Sequence, residues 1–163
     1  MDNELLISLR KIRAISDYQF GNDITDILFE KIDNIQLIHS PNTNKIRYIK
    51  YNNKLLLSLR PNTGLFTLGL YAAKKIIKNT TPPRLRVIVQ NDISDFIKKG
   101  RNVFCKHVVD IDDSLRTLDE VIIVNQNEEL LALGKLKVPV PFIKTFSIGM
   151  AVNVRKGINK SKL

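Results

Sequence analysis

The chain has 163 residues, of which 44% are hydrophobic and 26% charged. This composition excludes a disordered or membrane-embedded protein and leaves room for one ordinary domain or two small ones. The formal net charge of +10 favours polyanionic partners, with nucleic acid ahead of an anionic membrane. The alternative is that the surplus lysine only keeps the protein soluble.

The start of the chain and its single cysteine predict a cytoplasmic protein. Asp2 and Glu4 make the first residues acidic where a secretory signal would be basic, and no apolar run is long enough to span a membrane. Cys105 has no partner for an internal disulfide, which suits a reducing compartment. The last residues, Ser161-Lys162-Leu163, match a peroxisomal address signal, but they fit the end of a frayed basic tail equally well.

The first residues predict two helices. Apolar residues at three- and four-residue spacing predict an amphipathic helix over about 3–20, and Gly21 ends it. Asp23 is expected to cap a short second helix. At the end of the first helix, Tyr18 and Phe20 are expected to pack inward.

A group of strands and a third helix follow. Segments 35–38, 46–51 and 55–59 are strand-like and are joined by short polar turns, which predicts an antiparallel meander. An apolar segment at 65–68 then precedes a helix that ends at about Asn79.

The double proline Pro82-Pro83 is the best domain boundary in the sequence, because neither a helix nor a ladder strand continues easily through it. We therefore expect one domain over 1–83, a second over 84–157 and a short basic tail over 158–163.

Downstream of the prolines the pattern changes to many short strands with two short helical segments, which predicts a closed or partly closed β-barrel. A helix is expected over 93–99, capped by Asn91 or Asp92 and ended by Gly100. The strands are expected at about 85–89, 103–109, 120–125, 130–137 and 150–155, with residues 139–146 irregular or forming one helical turn.

The sequence predicts no catalytic residue, metal site or cofactor. Cys105 and His107 are two residues apart on a predicted strand, which places their Cα atoms about 6.5–7 Å apart and favours a buried cysteine over a nucleophile–base pair. A cryptic enzyme that uses either residue stays as an alternative. The acidic run at 110–113 lacks the glycine and distal glutamate of a calcium loop and is expected to be a solvated turn. Two histidines and one cysteine are too few for a zinc site without carboxylate ligands.

A basic turn is the remaining candidate site. Lys98, Lys99 and Arg101 surround Gly100, whose missing side chain allows a backbone or a phosphate to approach closely. Lys106 extends this surface, and Arg155 and Lys156 join it if the barrel closes nearby. The alternative is that these residues form a solvated helix end and a solvated strand end.

At these residues the sequence resembles a known RNA-binding fold. Residues 84–157 look like a PUA domain, a small pseudobarrel found in RNA-modification enzymes. The resemblance rests on the runs Lys99-Gly100-Arg101-Asn102-Val103-Phe104, Lys106-His107-Val108-Val109, Asp119-Glu120-Val121, Leu131-Ala132-Leu133-Gly134 and Ala151-Val152-Asn153-Val154-Arg155. The Pro-Gly that is usual before Asp119 is replaced by Thr117-Leu118, so that turn is expected to differ.

Residues 1–83 are similar to the domain that precedes PUA in archaeal tRNA-guanine transglycosylase, the archaeosine enzyme. The matching residues are Ile15-Ser16-Asp17-Tyr18-Gln19-Phe20-Gly21, Gly64-Leu65-Phe66-Thr67-Leu68 and Pro82-Pro83-Arg84-Leu85-Arg86-Val87. The resemblance implies an α+β protein, with an N-terminal α/β sandwich-like pre-PUA domain followed by a C-terminal PUA β-pseudobarrel.

The family's catalytic barrel has no counterpart in these residues, so the resemblance implies a non-catalytic, tRNA-binding subunit that works with a separate transglycosylase chain. Carried over by position, the tRNA acceptor stem is expected to contact Lys99, Gly100, Arg101, Lys106 and His107. Arg155 and Lys156 are added from their charge and position. The alternative function is a free-standing PUA factor in ribosome assembly or translation.

Overall fold

Two units follow each other along the chain in the computed structural model, which describes residues 2–160: the first ends at Asn79 and the second begins at Thr80. The predicted boundary, Pro82-Pro83, is a cis peptide bond in the same connection. The predicted tail lies partly outside the described residues, and the whole Ser161-Lys162-Leu163 signal lies outside them. None of the helices in residues 2–160 is long and apolar enough to cross a membrane.

The N-terminal unit packs three helices with a four-stranded antiparallel sheet in the order β1-β2-β3-β4. Its elements are α1 (Asn3–Phe20), α2 (Asn22–Leu28), β1 (Ile35–His39), β2 (Ile46–Tyr51), β3 (Lys54–Leu59), β4 (Phe66–Leu68) and α3 (Leu70–Asn79).

Local sequence explains most of these boundaries. The stripe of α1 buries Leu9 and Ile12, and Gly21 follows the helix with a φ of 92°, a conformation that favours glycine. Asn52 and Asn53 have φ angles of 48° and 64°, which suits the tight turn of the β2–β3 hairpin because asparagine tolerates the left-handed region.

Two expectations for the helix ends are wrong. Tyr18 is 86% exposed, whereas Phe20 is buried as expected. The intervening Gln19 instead ties α1 to β4, since its amide donates to the Phe66 carbonyl at 2.8 Å and accepts from the Phe66 N–H at 2.7 Å. Asp23 does not cap α2, because the helix already begins at Asn22 and its start has no side-chain cap.

The C-terminal unit is a six-stranded sheet in the order β6-β10-β9-β8-β5-β7. Its elements are β5 (Arg86–Val89), α4 (Ser94–Lys98), β6 (Val103–Phe104), β7 (Val108–Ile111), β8 (Glu120–Asn125), β9 (Leu130–Leu136), α5 (Val140–Thr145) and β10 (Met150–Gly157). β5 pairs parallel to β8, and the other pairs are antiparallel.

The predicted strand over 103–109 is interrupted by a 3-10 turn at Cys105–His107. Its first part pairs with β10 and its second part pairs with β5, so the chain must cross from one edge of the sheet to the other. Because the two edge strands are joined by this short turn, the sheet curls into a nearly closed barrel. The fold is therefore the α+β arrangement of a sheet domain followed by a pseudobarrel that the sequence predicts.

The helices of this unit differ from expectation in detail. Neither Asn91 nor Asp92 caps α4: Asn91 accepts from the Gln126 N–H at 3.0 Å, and a 3-10 turn precedes the helix. The segment predicted as irregular or one turn forms α5, with Pro139 directly before the helix and Pro141 in its first turn, where proline is tolerated. The turn before Asp119 forms with Leu118 at a φ of 75°.

Candidate nucleic-acid interface

The predicted glycine turn is the C-terminal stop of α4. Gly100 has a φ of 93°; its N–H donates to the Ile97 carbonyl at 2.9 Å, and the Arg101 N–H donates to the Phe96 carbonyl at 3.1 Å. This hydrogen-bond pair is a Schellman motif, which favours glycine in the left-handed position. The turn therefore fixes Lys99 and Arg101 on either side of Gly100, and both are exposed.

The end of β10 lies against this turn. A Cβ on Gly157 would stand 2.2 Å from the Lys98 carbonyl oxygen and 2.7 Å from the Gly100 nitrogen, so only glycine permits this approach. The Asn159 N–H donates to the same Lys98 carbonyl at 2.9 Å. The side chain of Lys160 comes within 3.3 Å of the position of a Cβ on Gly100. Asn159 and Lys160 are therefore held on the basic turn, in contrast to the frayed tail that was expected.

Ion pairs divide the predicted cations into two kinds. Lys98 is paired with Glu129 at 2.6 Å, and Arg155 is paired with Glu120, whose side chain is 1% exposed. These two charges are partly neutralised within the unit. Four further cations are exposed, and no carboxylate within residues 2–160 pairs with them. They form what we call the glycine-turn cluster: Lys99, Arg101, Lys156 and Lys160.

Lys106 and His107 lie apart from the glycine-turn cluster. They belong to the 3-10 turn, whose Cys105 N–H donates to the Gly149 carbonyl at 2.9 Å, so they lie beside the beginning of β10 whereas Gly100 lies beside its end. Lys106 is five positions after Arg101, so their Cα atoms are at most about 18 Å apart. Lys106 is exposed. The structure thus arranges the predicted site residues as two groups along one strand.

The alternative chemistry around Cys105 has no geometric support. Cys105 is 3% exposed, and burial raises the pKa of its thiol. The ring of His107 faces a different group, because its Nδ1 lies 3.1 Å from the Gln90 Oε1. Within residues 2–160, no group of three or more acidic, histidine or cysteine side chains is arranged to hold a metal.

Asp112 differs from the solvated turn residue that was expected, since it is 8% exposed. Its carboxylate accepts from the Leu85 N–H and the Ser114 hydroxyl, both at 2.7 Å, and it pairs with Arg84 at 3.4 Å. Burial alone would raise the pKa of Asp112, but these hydrogen bonds and the Arg84 charge lower it overall. This carboxylate has a structural role at the start of β5.

Two residues of the candidate interface were missed by sequence reasoning. Lys160 was treated as part of a tail, although a lysine three residues after the closing strand was a signal that it extends the basic surface of that strand end. Asn102 accepts from the Val154 N–H at 2.9 Å and so joins the segment after the turn to β10. No local pattern indicates that contact, because its partner is 52 residues away.

Comparison with known proteins assigns both units. Residues 10–83 match the profile of patch-forming domain C2 of tRNA-guanine transglycosylase, and residues 85–158 match the PUA domain profile. The chain is 38% identical over 149 residues to the tRNA-guanine(15) transglycosylase of Methanothermobacter thermautotrophicus, and 40% identical over 149 residues to that of Thermococcus onnurineus. Each alignment covers 91% of this chain but only 22% and 25% of the relative, so the chain spans about a quarter of their length.

Solved structures support the fold. A hypothetical protein of Pyrococcus horikoshii OT3 superimposes with a TM-score of 0.77 at 21% identity, over 95% of this chain and 92% of that one. A PUA domain of Aeropyrum pernix K1 superimposes with a TM-score of 0.57 at 14% identity, over 83% and 82% of the two chains. The chain therefore belongs to the proteins that join a patch-forming domain C2 of the tRNA-guanine transglycosylase type to a PUA domain.

Proposed function

We propose that this protein binds the acceptor stem of tRNA in the cytoplasm and acts in tRNA modification as a non-catalytic subunit beside a separate transglycosylase chain. The observation that carries the proposal is the glycine-turn cluster, in which two distant segments of a PUA domain present exposed cations on one rigid turn. The similarity to archaeal tRNA-guanine(15) transglycosylases supports tRNA as the RNA.

The geometry suits recognition of duplex RNA by shape. The deep major groove of an A-form helix is closed to side chains, so contacts go to phosphates and 2′-hydroxyls. The Lys160 side chain lies over the space beside Gly100, so the phosphate contact is expected at Arg101, whose guanidinium is able to donate two parallel hydrogen bonds to it. Lys99, Lys156 and Lys160 add charge around this contact, which strengthens binding without selecting bases.

Lys106 and His107 provide a second contact further along the duplex. The distance of at most about 18 Å from Arg101 allows both groups to touch one stem. The ring of His107 is oriented by Gln90, so its other nitrogen is available to a 2′-hydroxyl or a phosphate. Arg155 contributes through its ion pair with Glu120, which stabilises the strand that carries Lys156.

The first test is tRNA affinity as a function of salt. Arg101→Gln and Lys106→Gln should each weaken binding and should lower the slope of log K against log salt by about 0.7–0.9 per lost phosphate contact. Lys74→Gln removes an exposed charge from the N-terminal unit and is the matched control. Unchanged affinity and slope in both variants would remove these residues from the interface.

The second test is reconstitution. Adding this chain to a transglycosylase catalytic chain should increase the exchange of labelled guanine into tRNA, and the Arg101→Gln chain should do so less well. Equal exchange with and without this chain would refute the subunit role. If the tagged protein instead recovers ribosomal RNA and assembly factors from its native cells, the function lies in ribosome assembly or translation.

A further inference from the structure

A pocket of about 380 Å³ lies in the N-terminal unit. The loop between β1 and β2 and the loop between β3 and β4 meet there, because the antiparallel order of these strands places both loops at the same end of the sheet. The pocket is lined by Ser40, Thr43, Lys45, Ile46, Arg47, Leu59, Arg60, Pro61 and Gly64.

Backbone hydrogen bonds hold both loops in place. In the first loop the Ser40 N–H donates to the Lys45 carbonyl at 2.8 Å. In the second, the Arg60 N–H donates to the Leu65 carbonyl at 2.9 Å and the Gly64 N–H donates to the Arg60 carbonyl at 2.8 Å. The walls are therefore formed before a ligand arrives, which reduces the ordering cost of binding.

Three cations line this pocket: Lys45, Arg47 and Arg60. In the part of the chain that the structure describes, none of them pairs with a carboxylate. The Arg47 guanidinium lies over the Tyr48 ring, 5.8 Å from its centroid, and this contact leaves its charge uncompensated. Like charges gathered in one concavity repel each other, and an anion bound between them removes that repulsion.

The remaining lining adds an apolar wall and two hydroxyl groups. Ile46, Leu59 and Pro61 provide a surface for a flat or apolar group, and Ser40 and Thr43 provide hydroxyls that donate or accept. A small pocket with an apolar wall, a few polar groups and a cationic side matches a ligand that has a ring at one end and a phosphate at the other.

We infer that this pocket binds a single nucleotide, with its phosphate between Lys45, Arg47 and Arg60 and its base or ribose against Ile46, Leu59 and Pro61. The ligand is either a free nucleotide or one nucleotide of an RNA strand, since both present the same chemistry. This site is independent of the glycine-turn cluster, and its occupation does not rest on the function proposed for the C-terminal unit.

The test is calorimetric titration of the whole protein with guanosine 5′-monophosphate, with guanosine and with a single-stranded RNA pentanucleotide. The monophosphate should bind, guanosine should bind at least tenfold more weakly, and Arg47→Gln with Arg60→Gln should reduce monophosphate affinity at least tenfold. Lys74→Gln, which removes an exposed charge from α3 of the same unit, should bind as the wild type does. Thermal unfolding of each variant, followed by circular dichroism, confirms that the N-terminal unit is folded.

The pentanucleotide identifies the source of the ligand. If it binds in competition with the monophosphate, the pocket accepts a nucleotide of RNA; if only the monophosphate binds, the ligand is a free nucleotide. The inference is overturned if neither the monophosphate nor the pentanucleotide binds, or if the double variant binds these two compounds as tightly as the wild type does. Either result leaves the salt dependence measured with Arg101→Gln unaffected, so the two proposals fail separately.

Discussion

Replacement of Gly157 by alanine tests whether the end of β10 holds the basic turn in place. The added Cβ would stand 2.2 Å from the Lys98 carbonyl oxygen and 2.7 Å from the Gly100 nitrogen, whereas ordinary carbon contacts are about 3.5–4.0 Å. Both obstructing atoms belong to the backbone, so no rotamer change relieves the clash. The strand end and the turn must separate by roughly 1 Å.

The expected loss follows from three contributions. Overpacking costs about 1–3 kcal/mol, and breaking the hydrogen bond from Asn159 to the Lys98 carbonyl costs about 1 kcal/mol. Alanine also lowers the conformational entropy of the unfolded chain, which offsets about 0.4–1 kcal/mol of this destabilisation. The net destabilisation of the C-terminal unit should be about 2 kcal/mol, which for a domain of this size lowers Tm by roughly 8–16 °C.

Urea unfolding followed by circular dichroism measures this change, and amide hydrogen exchange at Asn159 locates it. The variant should also bind tRNA more weakly when folded, because Lys156 and Lys160 move away from Arg101. Gly149→Ala is the matched control: its φ of 100° strains alanine, but nothing lies within 4 Å of the new Cβ, so exchange at Asn159 should stay slow. A Gly157→Ala protein within about 0.5 kcal/mol of the wild type, an ordinary effect for a surface change, would refute the reasoning.

Three further substitutions probe the C-terminal unit. Arg155→Ala should lower the free energy of unfolding, measured in urea, by about 2–3 kcal/mol, because it removes the cation that pairs with the buried Glu120 carboxylate. An unchanged free energy of unfolding would show that this ion pair does not stabilise the unit. Asp112→Asn should lower the free energy of unfolding by about 2 kcal/mol at pH 7. Because the pKa of Asp112 is lowered in the folded state, the difference in stability between the wild type and the variant should disappear as the pH falls below about 3.9. A difference that does not change with pH would contradict this. Leu118→Gly should stabilise the unit by about 0.5–1 kcal/mol by removing left-handed strain from an exposed leucine, and a lower Tm would show that the leucine makes a compensating contact.

Local signals were sufficient for much of the N-terminal unit. The bounds of α1 follow from its apolar stripe and from Gly21, and the β2–β3 hairpin follows from Asn52 and Asn53. The exposure of Tyr18 could not be predicted in this way, because no local pattern shows that the Gln19 side chain makes the contact between the end of α1 and β4.

The predictions were wrong where strand pairing between distant parts of the chain determines the local structure. The residues over 103–109 have strand propensity throughout, but they serve two opposite edges of one sheet, so Cys105–His107 must turn. The same limit applies to the site. The turn at Gly100 and its flanking cations were predicted from sequence, whereas the pairing of Lys98 with Glu129 spans 31 residues and is visible only in the folded chain.

Gln19 has a consequence for how the N-terminal unit avoids association with other chains. β4 ends the order of its sheet, and the pairing of β3 with β4 leaves the Phe66 N–H and carbonyl facing outward. Such a free edge is a template for strand addition and aggregation. The primary amide of Gln19 satisfies both groups, so it stands where the backbone of an invading strand would pair. The Gln19 side chain therefore protects this three-residue edge from strand addition. Its replacement should first reduce the solubility of the protein at high concentration.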